Sequence, residues 1–283
     1  MRVALMVPDP AYREAFGWAY DVEAAILNKV GIEVQPLPWT MIDKLPDVDL
    51  VMPLVAWGYN LDYPRWLSLL QRAEVERWPL LNPPALLRWN GDKAYLKELA
   101  AKGIPTVPTV DVDHLSDTSL SAASAKFGQR DLVVKPPVSG GAHGTYRLEV
   151  GDPIPADVAG KRMMIQPFQP GISMGEYSII MFDGKFSHAV LKTPVAGDFR
   201  VQPHLGGADR YAVPPNGSVE LAHAALALAP SEALYARVDM IAGTNGALKI
   251  MELELIEPAL FLHHAPDKGV AFASAVRAAA ARK

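Results

Sequence analysis

Residues 131–149 read DLVVKPPVSGGAHGTYRLE. Asp131–Lys135 is an apolar run ending in a lysine, and Thr145–Glu149 alternates apolar with polar residues. Both read as strands, and the glycine-rich SGGAHG at 139–144 lies between them, so the segment predicts an antiparallel hairpin. That order decides the fold class. A Rossmann dinucleotide site needs its glycines to open a helix whose N-terminus holds the pyrophosphate. Here the glycines lead into a second strand. The loop therefore predicts a flap over phosphates, offering them backbone N–H groups, with glycine permitting the close approach and positive φ. Taken alone the signal is weak, because most glycine-rich hairpin loops are only turns.

Upstream, Arg2–Val7 predicts a buried strand. Val22, Ala25, Ile26 and Val30 recur at helical spacing over Asp21–Val30, with Gly31 as the stop. Strands follow at Ile32–Pro38 and Asp49–Val55, so the first third predicts a small α/β unit with a largely parallel sheet. Ala56-Trp57-Gly58-Tyr59 comes after the third strand, where ligands meet such sheets. Simple packing of Trp57 and Tyr59 at the subdomain edge is an equal reading. NGDKAYLKELAAK (90–102) predicts a helix closed by Gly103, IPTVPTV (104–110) an extended stretch, and Asp113–Phe127 a helix with a serine-rich opening.

Downstream, Met163–Phe168 predicts a strand, and Tyr177–Phe182 with Lys185–Lys192 a hairpin about Asp183-Gly184. Pro194–Gly207 is a long loop carrying Arg200, and Val219–Leu228 an alanine-rich helix. Leu234–Ile241 and Leu248–Leu255 predict a hairpin about Thr244-Asn245-Gly246, and Gly269–Lys283 a last helix.

Glu252 and Glu254 alternate along MELELIEP (251–258), so both side chains share one strand face. Asp239, in the partner strand ARVDMI, comes alongside if the turn closes. Three carboxylates on one face repel one another and resist burial. A divalent cation offsets that cost, and oxygen donors without cysteine or histidine suit Mg²⁺. A solvated, charge-alternating strand face is the plainer alternative. The apolar residues flanking the acids favour the metal.

Lys135 ends an apolar strand, and buried lysines want a partner such as phosphate. Lys93 alone reads as a surface lysine, and Arg200 alone as a loop arginine able to bind phosphate bidentately. His263 and His264 are adjacent and should diverge in a strand or a helix, which argues against a His–His metal site. His143 and His204 read as structural or substrate-adjacent.

The chain has 283 residues, a formal net charge of −4 and no cysteine. The length exceeds one compact core, so two or three subdomains around a cleft are expected. The charge shows no nucleic-acid footprint. Absence of cysteine excludes disulfides, thiolate zinc sites and a cysteine nucleophile, and fits a reducing cytoplasm. No apolar run reaches the ~18 residues of a membrane span, and MRVALMVPDP is too short for a signal peptide.

Together these pieces resemble the ATP-grasp superfamily: NGDKAYL with Lys93, VVKP with Lys135, the flap SGGAHG, the hinge IQPF, then ARVD and MELELIEP, in that superfamily's order. The likeness spans nearly the whole chain. RWNGDKAYLKELA, FDGKFSHAVLK, LYARVD and MELELIEPALFL resemble most the O-ureido-serine cyclo-ligases that form D-cycloserine, with bacterial glutathione synthetases more distant. The resemblance implies an α/β (α+β) ATP-grasp fold in which two sheets clamp the nucleotide. Residues 1–86 would be a Rossmann-like pre-ATP-grasp subdomain, 87–168 a small ATP-binding subdomain with the flap, and 169–283 a C-terminal subdomain with the Mg²⁺ site.

It also implies roles. Lys93, Lys135 and the flap residues Ser139, Gly140 and Gly141 would meet the phosphates. Backbone at Gln166 and Phe168, in the hinge with Pro167, would read the adenine edge, and Glu176 would meet the ribose. Asp239, Glu252 and Glu254 would hold two Mg²⁺ ions, and Arg200 and Lys192 would act on the transferring phosphoryl group and acyl-phosphate. Glu254 departs from the asparagine common at its position, Glu257 is an extra acid at the substrate, and Lys192 stands where some relatives have arginine. The implied activity is ATP-dependent carboxylate–amine ligation through an acyl-phosphate, on a small amino-acid-like substrate. Ring closure is among its outcomes, and a homo-oligomer is compatible with it. A small-metabolite kinase would instead leave a stable phosphorylated product. A non-catalytic nucleotide-binding module would release no ADP.

Overall fold

In the computed structural model, which describes residues 1–243 and 246–282, strand β1 (Arg2–Val7) is buried at every residue after Arg2. A strand covered on both faces has to be apolar throughout, and helices cover both faces here. β1 pairs in parallel with β2 (Glu33–Pro38) and β3 (Leu50–Met52), giving the order β2-β1-β3. Val3 and Leu5 pack with Leu27 of α1 (Gly17–Lys29) and, from the far end of the chain, with Phe272 and Val276 of α7 (Val270–Ala281). Ala4 and Met6 face α2 (Tyr63–Val75) through Trp66 and Leu70. Helix α2 lies outside the elements expected from sequence. Its cap is Asp62, whose side chain accepts from the Arg65 N–H, and its buried residues Trp66, Leu69, Leu70 and Ala73 hold helical spacing.

The helix expected over 90–102 is broken. Helix α3 (Pro84–Gly91) stops at Asp92, whose backbone is extended (φ −113°, ψ 119°), and α4 (Tyr95–Ala101) starts afresh. Asp92 Oδ1 accepts the Ala94 N–H at 2.9 Å, and the Lys93 N–H donates to the Pro137 carbonyl at 2.9 Å. Lys93 therefore stands in the break and not on a helix.

A second sheet runs β4-β7-β5-β6, all antiparallel: β4 (Val110–Val112), β5 (Asp131–Lys135), β6 (Tyr146–Glu149) and β7 (Met163–Pro167). The β5–β6 pair is the hairpin expected around the glycine loop. Helix α5 (Asp117–Phe127), opened by a Ser116–Ser119 capping box, packs Leu120 and Ala123 against Leu132, Val134 and Ile165.

The third sheet has the order β10-β9-β8-β11-β12: β8 (Glu176–Phe182), β9 (Lys185–Thr193), β10 (Ala208–Ala212), β11 (Tyr235–Ala242) and β12 (Leu248–Glu254). Helix α6 (Ser218–Leu226) packs Ala222 and Ala225 against this sheet. Both expected hairpins are present. β10 was not expected and begins just after the Arg200 loop. Of the expected Thr244-Asn245-Gly246 turn, Thr244 and Asn245 lie outside the described residues.

Strand β12 is an edge strand, yet its outer backbone is satisfied, at Ile250 by the main chain of Pro105 and Val107 and beyond it by side chains. Asn90 donates to Leu253 O (2.8 Å) and accepts from Leu255 N (2.9 Å). The Tyr95 hydroxyl donates to Leu253 O (3.0 Å) and accepts from Leu253 N (2.8 Å). Asn82 donates to Leu255 O (2.9 Å) and Tyr235 O (3.0 Å) and accepts from Leu234 N (2.6 Å). Among the described residues, no helix is long and apolar enough to cross a membrane.

Candidate active site

A cleft of about 1150 Å³ opens between the second and third sheets, with the segments that follow β1 and β3 at its edge, and is larger than most small-ligand sites. Every candidate residue singled out from sequence lines it: Lys93, Lys135 and the flap Ser139, Gly140 and Gly141; Gln166, Pro167, Phe168 and Glu176; Lys192 and Arg200; Asp239, Glu252 and Glu254. Trp57, Tyr59, Glu257, His143 and His204 line it too, whereas His263 and His264 do not.

Strand register builds the acidic wall. β11 is paired on both sides, with Asp239 opposite Ser178 of β8 and opposite Glu252 of β12. Ser178 Oγ donates to Asp239 Oδ1 at 2.6 Å. Glu176 faces Lys192 across β8 and β9, and the Lys192 Nζ lies 2.5 Å from Glu176 and 2.9 Å from Asp239. Arg237, one pleat from Asp239 on the same face, donates from Nε to Oδ1 (3.0 Å) and from Nη2 to Oδ2 (3.0 Å), and Nη2 also binds Glu254. Lys93 Nζ sits 3.1 Å from Glu252 and donates to the Ser139 carbonyl at 2.8 Å, joining the flap to the acids.

The wall thus carries its own counter-charges. Burial works against the charged form of Asp239, but Arg237 and Lys192 outweigh it and hold the carboxyl well below its usual range. Burial pushes Glu254 up to about 8 against the pull of Arg237, and Glu176 up to about 7 against Lys192. Burial likewise raises Glu257 to about 7. The repulsion expected among three acids is met by Lys93, Lys192 and Arg237, so burial of the cluster does not by itself demand a metal. The donors do fit one. They are hard oxygens, without cysteine or histidine bonded to them, and suit Mg²⁺ more than a softer ion.

Lys135 differs from its neighbours. It is buried, and among the described residues no hydrogen bond or ion pair holds its ammonium. Burial lowers its proton affinity, partly opposed by Glu252. An unpaired cation on the wall of a large cleft fits an anionic ligand.

On the opposite wall, the Phe168 N–H donates to Asp131 O at 3.0 Å and its carbonyl accepts from Gln129 at 2.8 Å. Both backbone groups of Phe168 expected at an adenine edge are therefore engaged within the protein, and its ring packs edge-on to Phe199 with the Arg147 guanidinium 3.7 Å from the centroid. Arg200 pairs with Asp198 at 2.8 Å, which holds Asp198 at about 2.

Sequence reasoning missed Arg237, although its signal was local: a charged residue two before Asp239 in a strand otherwise apolar. It also missed the mouth formed by Tyr12, Glu14 and Trp18, where Trp18 and Trp57 rings lie 5.3 Å apart. No spacing pattern marks that segment. The expected divergence of His263 and His264 is corrected. Phe261 takes a positive φ of 48° and starts a 3₁₀ turn, and both rings reach Asp209.

No protein-family model matches the chain. The cycloserine biosynthesis protein DcsG of Streptomyces lavendulae is 32% identical over 243 residues, covering 78% of this chain and 79% of that protein. A glutathione synthetase of Prochlorococcus marinus is 29% identical over 64% of this chain and 60% of its own length. Among solved structures, D-cycloserine synthetase DcsG superposes with a TM-score of 0.85 at 24% identity, covering 100% of this chain and 99% of that one. The D-alanine–D-alanine ligase of Bacillus anthracis gives 0.74 at 18% identity, with all of both chains covered.

Proposed function

Because the chain belongs to the ATP-grasp ligases, as its likeness to DcsG establishes, we propose that it joins the carboxylate of a small amino-acid-like molecule to a nitrogen, with ring closure within one molecule as its outcome. The enzyme uses ATP and works through an acyl-phosphate. The substrate carboxylate attacks the γ-phosphorus, and the bond to the ADP oxygen breaks. The nitrogen then attacks the acyl carbon, loses a proton and expels phosphate.

The unpaired, buried Lys135 facing the acidic wall carries this reading. Lys93, Lys135 and the flap N–H groups of Ser139, Gly140 and Gly141 hold phosphate oxygens, chemistry that is mainly positioning and charge neutralisation. Lys192, Arg200 and Arg237 steady charge on the transferring group. Gln166, Pro167 and Phe168 flank the adenine and Glu176 the ribose. Asp239, Glu252 and Glu254 hold Mg²⁺, as two ions, and bound Mg²⁺ neutralises ATP oxygens. The flap from Ser139 to Gly144 excludes water, which would hydrolyse an acyl-phosphate. Glu257, Trp57 and Tyr59 shape the substrate end, where an acid suits an ammonium group. Residues 1–86, 87–168 and 169–283 act as three subdomains around the cleft, in a chain suited to the cytoplasm.

ADP and phosphate release across a panel of amino acids, with O-ureido-serine included, tests the proposal. Release with one substrate, and a product lacking phosphate, supports it. No ADP release with any substrate in the presence of Mg²⁺ overturns it.

A further inference from the structure

Outside the cleft, one group of side chains has the composition of a metal site. We propose that Asp209, His263 and His264 bind one divalent transition-metal ion of the Zn²⁺ class, at a place separate from the acids of the active site. Asp209 lies near the start of β10, and the two histidines lie in the 3₁₀ turn Leu262–His264.

The geometry comes first. His263 Nε2 lies 3.4 Å and His264 Nε2 2.6 Å from the same Asp209 Oδ1. One ligand atom from each of the three residues falls within 4.8 Å of the other two. An ion bound at roughly 2.1 Å by each donor sets tetrahedral donors about 3.4 Å apart. The His263–Asp209 distance already has that value. The His264–Asp209 contact needs to open by less than an ångström, a small rotation of two half-buried side chains.

The chemistry comes second. Two imidazoles and one carboxylate select Zn²⁺, Co²⁺, Ni²⁺ or Cu²⁺ over Mg²⁺, and they leave a fourth position for water. A hydrogen bond from His264 to Asp209 would alone account for one of the rings. It leaves unexplained why His263, 56% exposed, turns onto the same oxygen with its ring centroid 4.1 Å from that of His264. A shared ion accounts for both. Bound there, it ties the strand that follows the Arg200 loop to the segment Glu257–Phe261 of the cleft wall.

The experiment uses untagged, metal-stripped chain, titrated with ZnCl₂ in excess Mg²⁺ and without nucleotide. Saturable uptake of one Zn²⁺ per chain is expected, with affinity at least ~100-fold lower in Asp209→Asn and in the His263→Ala/His264→Ala double variant. Glu252→Gln should take up Zn²⁺ as the wild type does. No saturable uptake, or equal uptake by both site variants, overturns the proposal. Should those variants fail to fold by circular dichroism, Co²⁺ on the wild type decides. Hyperfine-shifted ring N–H signals from two histidines support the site, and their absence refutes it.

Discussion

Replacing Lys135 by methionine separates a phosphate-binding lysine from a structural one. Methionine keeps the apolar stem and removes an ammonium that burial disfavours and that no partner holds among the described residues. The nucleotide-free variant should therefore melt no lower than the wild type. Nucleotide binding should suffer. A hydrogen bond to a charged group contributes about 1.5–3 kcal/mol, so the dissociation constant should rise roughly 10- to 150-fold at about 1.4 kcal/mol per tenfold. At an ATP concentration of 100 times the wild-type constant, ligand linkage stabilises the wild type by about 2.7 kcal/mol, and the variant by only about 0.3–1.3 kcal/mol. For a chain of this size that corresponds to a nucleotide-induced melting shift of roughly 5–11 °C in the wild type and about 1–5 °C in the variant. Melting curves with and without ATP and Mg²⁺ measure both quantities. An unchanged nucleotide shift with a lower melting point in the free variant would refute the reasoning, since Lys135 would then support the fold and not the ligand.

Other residues give equally direct tests. Glu252→Gln removes one acid of the wall and the Lys93 ion pair, and substrate-dependent ADP release should fall about 10²- to 10³-fold; wild-type turnover would sink the metal assignment. Asn82→Ala strips three buried backbone groups of their partners, so urea melts should show a loss of at least ~3 kcal/mol at about 1–3 kcal/mol per orphaned group. A loss under ~1 kcal/mol would show that the contacts are dispensable. Glu23 is buried on α1 with an unsatisfied Oε2, and burial raises its carboxyl well above the usual range. The folded chain then keeps a proton that the unfolded chain has lost, so stability falls as pH rises from about 4.3 through the raised folded value. Glu23→Met should gain about 1–3 kcal/mol at pH 7, with a gap that narrows towards pH 4 in urea melts. A gap constant across pH counts against a protonated Glu23.

What could be read before the fold was known was whatever depends on neighbours along the chain. The strand–glycine–strand order at 131–149 and the alternation of Glu252 and Glu254 are local, and both stand in the structure. The helix break at Asp92 joins a local contact, Asp92 accepting the Ala94 N–H, to one with the carbonyl of Pro137 far along the chain, and only the first is written in neighbouring residues. Arg237 had a local signal, but its bonds to Asp239 and Glu254 follow from strand register. The cationic relief of the acids was hidden for the same reason, because Lys93, Lys192 and Arg237 come from separate elements. Helix α2 was legible in principle, since Trp66, Leu69, Leu70 and Ala73 keep helical spacing behind the Asp62 cap. The histidine pair was misjudged because regular strand or helix geometry was assumed where the chain turns at Phe261.

Neutral groups fasten the outer edge of β12: main chain at Ile250, then two amides and a phenol at Leu253 and Leu255. Salt screens exposed ion pairs over about 8 Å at physiological strength, but it barely touches buried dipoles bonded to backbone. Glu252 and Glu254 are therefore mounted on a backbone whose position does not depend on the ionic medium. Their counter-charges, Lys93 and Arg237, come from other elements, so weakening either pair leaves the spacing of the two carboxylates unchanged. The strand is an insulated mount for a charged wall.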